Sequence, residues 1–372
     1  MMGEGKIFVG LVDGAIKVNC RIAFDEPVTE FRFSLSTLLN IDDLSEKCEV
    51  VKTWVVRSGF HEAREYLVKP KNGAFKELVI DYSGTVSGWH NVLSESRIGL
   101  YGYSVWYPLE CSIKLRKIES TFNDTVNYDV WYFGSSGIFA LKKGYGTVSS
   151  ACGNFNVHYV NPGQKAFAKV CAHHYGKIID FYQSMFCGKD IGITDVLFMD
   201  IEGGSGAIIQ DGLMVVGQIP DMKDADEMQE MAINMLGHEF GHYWFKADHS
   251  TWEAWLGETA AEWASILYMV SVSGEDSINS RLDQIQEWTG DYVKAPVIKT
   301  PDLLCPPSGV HVRGVMLFYE IYKRHGLDKI KHILTILANL EIYNTESLLL
   351  ELDEGVSDFI RRGLDAVDYM LL

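Results

Sequence analysis

The chain has 372 residues, which is long enough for two domains because single hydrophobic cores rarely grow beyond about 250–300 residues. Hydrophobic residues make up 47% and charged residues 22%, a composition typical of folded globular proteins and not of disordered ones. The formal net charge of −17 disfavours nucleic acids and anionic membrane surfaces as partners, since both repel an acidic protein.

The N-terminal segment and the cysteines favour a cytoplasmic protein. MMGEGKIFVGLVDGAIKVN lacks the cationic start and continuous apolar stretch of a secretory signal. No window of the sequence approaches the roughly 18 apolar residues of a membrane span. The seven cysteines are scattered, and no two of them form a Cys-x-x-Cys pair, which predicts free thiols in a reducing compartment.

The first 150 residues or so predict β structure. Short runs rich in Val, Ile, Phe and Tyr are separated by clusters of Gly, Pro, Asn and Asp. These runs are KIFVGLV, AIKVNCRIAF, EFRFSLS, KCEVVKTWVVR, EYLVKP, KELVIDYSG, CSIKLRKI and YDVWYFG. Their partial alternation of apolar and polar residues predicts an antiparallel, sandwich-like domain, which we place at residues 1–152.

The hydrophobic period changes after this region. QKAFAKVCAHHYGKIIDFYQSMF has apolar residues at helical spacing, and the strand-like run DVLFMDI follows it. AIIQDGLMVVGQI predicts one or two further strands. From Asp224 onward nearly every segment has helical periodicity, so residues 153–372 are predicted to form a second, mainly helical domain.

The segment MLGHEFGHYWF contains a candidate metal site. His238 and His242 are four positions apart and therefore lie on one face of a helix, where both can reach one metal ion. Glu239 projects close to this face and can take a proton from a metal-bound water. His-Glu-x-x-His on a helix is typical of catalytic zinc sites. The alternative is a pair of histidines that serve only the packing of the helix.

The next predicted helix offers a third ligand. WEAWLGETAAEWAS places Glu258 and Glu262 one helical turn apart. A carboxylate from a following helix completes a His₂Glu zinc site and leaves the fourth position open for water. One glutamate would bind the metal, and the other would hydrogen-bond the free nitrogen of a ligand histidine. The apolar neighbours of both glutamates argue against the alternative, a solvated helix face.

HEFGHYWF followed by WLGETAAEWAS resembles the M1 family of gluzincin metallopeptidases, the group of aminopeptidase N and leukotriene A4 hydrolase. Members of that family show His-Glu-x-x-His-x-Trp-Phe and then Trp-Leu-Asn-Glu-Gly-Phe-Ala. LVIDYSG and SVWYPLE resemble its N-terminal β-saddle domain, and FNVHYVNPGQ resembles the start of its thermolysin-like catalytic domain. The resemblance covers roughly residues 75–345. It implies an α+β fold, in which a saddle-like antiparallel β domain precedes a thermolysin-like, mainly helical gluzincin domain.

The resemblance also implies one zinc ion per chain, bound by His238, His242 and Glu258, since Glu258 stands in the WLGE segment. The spacing alone favours Glu262, which follows His242 by the twenty residues usual in thermolysin-like proteins. Glu258 is three residues nearer to His242 than the family's usual nineteen. We follow the local motif and expect Glu262 to bond a ligand histidine.

Two functional segments of the family are altered in this chain. Aminopeptidases of the family carry a Gly-x-Met-Glu-Asn strand whose glutamate binds the α-amine of the substrate. The matching stretch begins at Gly206 and Ala207, and Ile209 replaces that glutamate, followed by Gln210 and Asp211. We expect the backbone of this strand to pair with an extended peptide, although Ile209 cannot bind an ammonium group. Asp211, in a shifted register, is the open alternative.

The family's catalytic tyrosine lies in a Tyr-x-Lys-Gly segment, which corresponds here to HVRG. His311 stands at the tyrosine position and Arg313 at the lysine position. A histidine can donate a hydrogen bond to a developing oxyanion, although an ordinary surface or core histidine is the alternative. Tyr319 and Tyr322 are later candidates that we expect to pack. Too few residues follow Glu258 for the family's large C-terminal helical domain, so we expect none.

The predicted function is zinc-dependent hydrolysis of peptide bonds with atypical or endopeptidase specificity. Zinc activates a water, Glu239 takes its proton, and zinc with His311 stabilises the oxyanion. The alternatives are an aminopeptidase with a relocated amine-binding acid, a non-catalytic peptide-binding protein of the same fold, and a hydrolase of non-peptide substrates. The expected partner is a peptide substrate, and no oligomeric state is predicted.

Overall fold

The structure of the protein is a computed structural model. It describes residues 2–58, 61–87, 91–109, 111–134, 137–151, 153–186, 188–189, 191–201, 206–219, 222, 224–246, 251–289 and 311–365. The architecture is mixed α+β, with N-terminal strands in several sheets followed by a helical region, as the sequence predicts.

The chain forms two compact units that interleave along the sequence. The first consists of Met1–Thr147, Val157–Lys165 and Ile193–Pro220, and the second of Val148–Asn156, Ala166–Gly192 and Asp221–Leu372. The division of the chain into domains at residues 152 and 153 stays a prediction.

Twelve short strands span most of the first 142 residues. They are β1 (Met2–Val12), β2 (Ala15–Val28), β3 (Phe31–Ser36), β4 (Leu39–Leu44), β5 (Cys48–Ser58), β6 (His61–Pro70), β7 (Phe75–Gly84), β8 (Val92–Leu93), β9 (Arg97–Leu100), β10 (Lys114–Phe122), β11 (Tyr128–Phe133) and β12 (Gly137–Lys142). Five more follow within the described residues: β13 (Gly146–Ser149), β14 (Asn156–Tyr159), β15 (Asp195–Phe198), β16 (Ala207–Gln210) and β17 (Leu213–Val216).

The described strands form four sheets. Their orders are β10-β1-β2-β7-β4, β3-β6-β5, β11-β12-β9-β8 and β13-β14-β15-β17-β16. In the first three sheets every pairing but one is antiparallel, as predicted. The exception is the pair of β1 and β10, which run parallel. The alternation of side chains along a strand fixes which face is buried, but it carries no information on the direction of the neighbouring strand.

The core of the N-terminal sheets follows from this alternation. Alternate residues of β2, namely Ile16, Val18, Cys20 and Ile22, are almost fully buried, while the residues between them are exposed or partly exposed. They belong to one hydrophobic cluster with residues of β3, β6 and β7. The period of two residues along β2 therefore separates a buried face from a face that is exposed or partly exposed.

The second unit is mainly helical. Within the described residues the helices are α1 (Lys165–Phe186, whose first residue belongs to the first unit), α2 (Ala225–Gly241), α3 (Ala254–Ser273), α4 (Ser277–Thr289), α5 (Arg313–His325), α6 (Leu327–Asn339), α7 (Thr345–Glu351) and α8 (Glu354–Asp365). Asp224 caps α2, because its side chain accepts a hydrogen bond from the backbone N–H of Glu227 at 2.8 Å. Among the helices that the structure describes, none has the length and apolar character required to cross a lipid bilayer.

Helix α3 lies at the centre of this helical region. Every residue from Ala254 to Met269 is buried, as expected for a helix surrounded by other elements. Helix α2 packs closely against it at two glycines. A Cβ at Gly237 would lie 2.7 Å from Oγ of Ser265, and a Cβ at Gly241 would lie 2.8 Å from Cα of Ala261. This close approach brings the side chains of the two helices within reach of one metal ion.

Candidate metal centre

Helices α2 and α3 bring His238, His242 and Glu258 together. The Nε2 atoms of the two histidines lie 3.2 Å apart. Oε2 of Glu258 lies 3.3 Å from Nε2 of His238, and Oε1 lies 3.9 Å from Nε2 of His242. One ligand atom from each residue lies within 4.8 Å of the others. Among the described residues, this is the single group of three His, Cys, Asp or Glu side chains that converges in this way.

The spacing of these atoms would allow one bound metal ion. A tetrahedral zinc ion with bonds of about 2.0–2.1 Å separates neighbouring ligand atoms by about 3.3 Å. Two imidazole nitrogens and one carboxylate oxygen are also a donor set that zinc accepts in catalytic sites. The geometry is thus compatible with the predicted ligands, and the identity of the metal stays a prediction.

Glu262 lies one turn further along α3 and contacts the other side of the His238 ring. Its Oε2 lies 3.0 Å from Nδ1 of His238. An ionised carboxylate can only accept hydrogen bonds, so Nδ1 of His238 donates to Glu262, and Nε2 is the nitrogen that faces Glu258 and His242. This placement agrees with the roles that the local motif predicts for Glu258 and Glu262, and it differs from the roles that the spacing predicts.

The charges at the site keep both glutamates ionised in spite of their burial. Burial alone raises the pKa of Glu258, but His311, His242 and His238 lower it by more, so that it lies well below the usual range. Burial likewise raises the pKa of Glu262, while Arg281 and His238 lower it to about 2. Burial lowers the pKa of His238, and hydrogen bonds to Glu258 and Glu262 outweigh that effect and raise it.

Glu239, the predicted general base, directly follows His238 on α2. Its side chain is buried, and burial is the main cause that raises its pKa to about 7. The charge of His238 lowers this pKa, the charge of Glu258 raises it, and His311 lowers it. A carboxyl group with a pKa near 7 can accept and return a proton near neutral pH. Glu239 is therefore suited to the predicted proton transfer.

His311 lies directly before α5 and reaches the same site. Its Nδ1 lies 3.0 Å from Oε2 of Glu258, while the histidine side chain remains 63% exposed. The close packing of α5 on α3 explains this placement, since a Cβ at Gly314 would overlap Oγ1 of Thr259. Burial lowers the pKa of His311, but the charge of Glu258 and a hydrogen bond to it raise the pKa above its ordinary value.

The other residues of the HVRG region have structural contacts. Arg313 is fully buried, and its Nε donates to the backbone oxygen of Gly363 at 2.8 Å. The hydroxyl of Tyr319 donates to Asn279, and the hydroxyl of Tyr322 donates to Glu275. These contacts match the packing roles that we expect for the two tyrosines.

The residues matched to the amine-binding segment lie in the first unit. Ala207–Gln210 forms β16, which stands at the end of its sheet and runs antiparallel to β17. Asp211 and Gly212, with φ of 50° and 85°, form the two-residue turn between these strands. Asp-Gly is a typical sequence for such a hairpin turn. AIIQDGLMVVGQI thus forms two strands.

Arg281 is a residue of the site that the sequence reasoning missed. Its Nε donates to Oε1 of Glu262 at 2.7 Å, and both side chains are buried. In the sequence it is one charged residue on the apolar face of α4, near Ile278, Leu282 and Ile285. A buried arginine requires a partner, so its position on that face was a usable signal.

Comparison with known proteins adds no family assignment, because no protein-family model matches the chain and no curated protein matches it.

Proposed function

We propose that this protein is a zinc-dependent peptide hydrolase with a thermolysin-like catalytic fold, related to the M1 gluzincin metallopeptidases. One zinc ion would be held by His238, His242 and Glu258. The observation that carries the proposal is the convergence of one ligand atom from each of these residues within 4.8 Å, on two helices that pack closely. The carboxylate of Glu262, bonded to the outer nitrogen of His238, adds the support that ligand histidines usually have.

The proposed reaction forms a C–O bond from water to the substrate carbonyl and breaks the C–N bond of the peptide. A bound zinc ion supplies Lewis acidity, which activates water and polarises the carbonyl. Glu239 takes a proton from the attacking water and returns it to the leaving amine. Glu239 directly follows His238 on α2, which would place its carboxyl group beside a metal-bound water.

His311 is the proposed donor to the developing oxyanion. An imidazolium carries N–H groups on both ring nitrogens. His311 can therefore donate to Glu258 through Nδ1 and to the substrate oxygen through Nε2. The exposed part of its side chain leaves room for a substrate to approach.

Glu239 favours an enzyme over a protein that only binds peptides. A binding protein has no use for a general base, and a buried carboxyl group is costly to keep without a function or a partner. The buried position and raised pKa of Glu239 support a role in proton transfer. They do not distinguish peptide substrates from other esters or amides, so the substrate class rests on the resemblance to the M1 family.

The proposed substrate is a peptide bound in extended form, with atypical or endopeptidase specificity. Among the described strands, β16 stands at the end of its sheet, and an edge strand is the kind of element with which an extended peptide can pair. Ile209 offers no charge to an N-terminal amine. The competing form of the proposal is an aminopeptidase whose amine-binding acid lies elsewhere.

We further propose a cytoplasmic location. Cys20, Cys48, Cys111 and Cys171 are free thiols, and burial raises the pKa of each. Protonated, buried thiols persist in a reducing compartment. The remaining cysteines, Cys152, Cys187 and Cys305, lie outside the described residues.

A peptide-library digest tests the function directly. The purified protein is incubated with the library alone, with a chelator, and with a chelator followed by zinc, while elemental analysis counts the metal per chain. We expect cleavage that the chelator stops and zinc restores. Cleavage that resists chelation would contradict the proposal, and bound zinc without cleavage of any peptide would favour the binding protein or a non-peptide substrate.

A further inference from the structure

Glu262 has two oxygens, and the structure gives each of them a different partner. Oε2 faces Nδ1 of His238 at 3.0 Å, and Oε1 accepts a hydrogen bond from Nε of Arg281 at 2.7 Å. A carboxylate is planar and rigid, so two contacts, one at each oxygen, together define the orientation of the group. Arg281 thus orients the carboxylate of Glu262, and this carboxylate orients the ring of His238.

Arg281 is also hydrogen-bonded to Gln284, which in turn is hydrogen-bonded to Glu230. Its Nη1 donates to Oε1 of Gln284 at 3.3 Å, and Nε2 of Gln284 donates to Oε1 of Glu230 at 2.6 Å. Glu230 and His238 lie on α2, Glu262 on α3, and Arg281 and Gln284 on α4. The chain of hydrogen bonds therefore ties three helices together behind the candidate metal centre.

These contacts are energetically important because the charged groups are buried. The side chains of Arg281 and Glu262 are only 5% and 9% exposed. In such surroundings a charge without a partner is strongly unfavourable, and a charge-assisted hydrogen bond is stronger than a neutral one. Loss of the guanidinium would leave the Glu262 carboxylate with a free oxygen, which can rotate away from His238 to find water or another donor.

We propose that Arg281 is a positioning residue of the metal centre, which acts through Glu262 to hold His238 in the orientation that binds metal. This inference rests on the proposed function, since it assumes that His238 is a zinc ligand. A lysine cannot replace the arginine fully, because a single ammonium group lacks the planar fork that bonds Glu262 and Gln284 together.

The test is a double-mutant cycle on zinc affinity, measured by competition with a chromophoric chelator. The proteins are the wild type, Arg281→Met, Glu262→Ala, the double variant and Arg281→Lys. Arg97→Met serves as the control, since Arg97 is a partly buried arginine of the first unit that donates to the backbone oxygen of Asp200. A thermal unfolding curve of each variant reports any loss of folded structure.

We expect Arg281→Met to weaken zinc binding about tenfold and Glu262→Ala about 10- to 100-fold, as is usual for residues that support metal ligands. The double variant should bind zinc no more weakly than Glu262→Ala alone, because Arg281 then has no carboxylate to hold. Arg281→Lys should lie between Arg281→Met and the wild type, and Arg97→Met should match the wild type.

Three outcomes would contradict the proposed function or the role of Arg281, and each can be told from the others. If the wild type binds no zinc, the proposed function fails, and the role of Arg281 fails with it. If the wild type binds zinc and Arg281→Met binds it equally well, only the role of Arg281 fails. If Arg281→Met weakens zinc binding equally with and without Glu262, the arginine does not act through Glu262. Should Arg281→Met not fold, Arg281→Lys gives the same comparison.

Discussion

His311 lies 3.0 Å from Glu258, measured from Nδ1 to Oε2, and this oxygen is the one that lies 3.3 Å from Nε2 of His238. A single carboxylate oxygen of α3 thus faces one histidine of the candidate metal centre and one histidine before α5. Two roles for His311 follow from this contact. It can stabilise an oxyanion, as the resemblance implies, or it can hold the third ligand in place.

Replacement of His311 by alanine separates these two roles. We expect His311→Ala to lower kcat about 10²- to 10³-fold, the usual effect of losing an oxyanion donor, and to leave the zinc content unchanged. The side chain is 63% exposed, so the variant should fold normally. Kinetics with a peptide substrate and elemental analysis measure the two quantities. Parallel loss of zinc and activity would show that His311 acts by holding Glu258.

Glu239→Gln tests the general base. Glutamine has nearly the same shape as glutamate but cannot accept the proton, so we expect turnover to fall by about 10²- to 10⁴-fold while zinc stays bound. Single-turnover assays at matched zinc content measure the effect. Full activity in this variant would exclude Glu239 as the base and would remove the proposed mechanism.

Glu258 and Glu262 should differ in their effect on zinc content. We expect Glu258→Ala to lose stoichiometric zinc, because two histidines alone do not retain a catalytic metal against dialysis. Glu262→Ala should keep zinc with an affinity about 10- to 100-fold lower, since it removes only the support of His238. Elemental analysis after dialysis against a weak chelator ranks the two variants. The reverse ranking would make Glu262 the ligand, as the sequence spacing suggests.

The residues of this site that the sequence predicted all stand in short local motifs, although spacing alone would have favoured Glu262 over Glu258. His238, Glu239 and His242 lie within one helical segment, and Glu258 lies in a second recognisable segment. Periodicity and a short motif are sufficient to place such residues on one helix face. The same reasoning explains why a helical region follows the N-terminal strands, as the sequence predicts.

The features that the sequence did not predict depend on contacts between distant segments. The bond from Arg281 to Glu262 requires the packing of α4 against α3, and the parallel pairing of β1 with β10 requires a long connection. The hairpin of β16 and β17 is different, since its Asp-Gly turn was visible. The sequence alone is compatible with one strand or two in this short, almost continuously apolar segment.

His174 predicts a pH dependence of stability that is separate from the metal centre. It is buried, and Nδ1 lies 3.0 Å from the hydroxyl of Tyr268. Burial, with the nearby charges of His173 and Lys177, lowers its pKa from 6.5 to about 4. The native state therefore keeps His174 neutral at a pH where the unfolded chain binds a proton. Stability contributed by the neutral form is lost as the pH falls from about 6.5 towards 4.

We expect this single group to cost about 2 kcal/mol of the free energy of unfolding between about pH 7.5 and pH 5. His174→Phe should remove that part of the pH dependence, and urea unfolding of both proteins at the two pH values measures it. Tyr268→Phe is the matched control. Because burial is the main cause of the lowered pKa, this variant should keep most of the pH dependence. An equal pH dependence in the wild type and His174→Phe would contradict the assignment.

The last prediction concerns the end of the substrate. An amine-binding glutamate contributes a charge-assisted hydrogen bond of roughly 1.5–3 kcal/mol, so its replacement by Ile209 should lower aminopeptidase turnover about 10- to 100-fold. Asp211, the other candidate acid, occupies the first position of the turn between β16 and β17. We therefore expect weak cleavage of simple aminoacyl reporters and better cleavage within longer peptides.

One peptide, offered with a free and with an acetylated N-terminus, gives the comparison. Equal cleavage of both forms is the expected result and defines an endopeptidase. Cleavage that acetylation blocks would show that an acid recognises the amine, and Asp211→Asn would be the first variant to examine. Ile209→Glu provides the converse test, since it should add a preference for the free amine. Ile208→Glu is its matched control, because neighbouring residues of a strand point to opposite faces. The same charge on the other face of β16 should add no preference for the free amine.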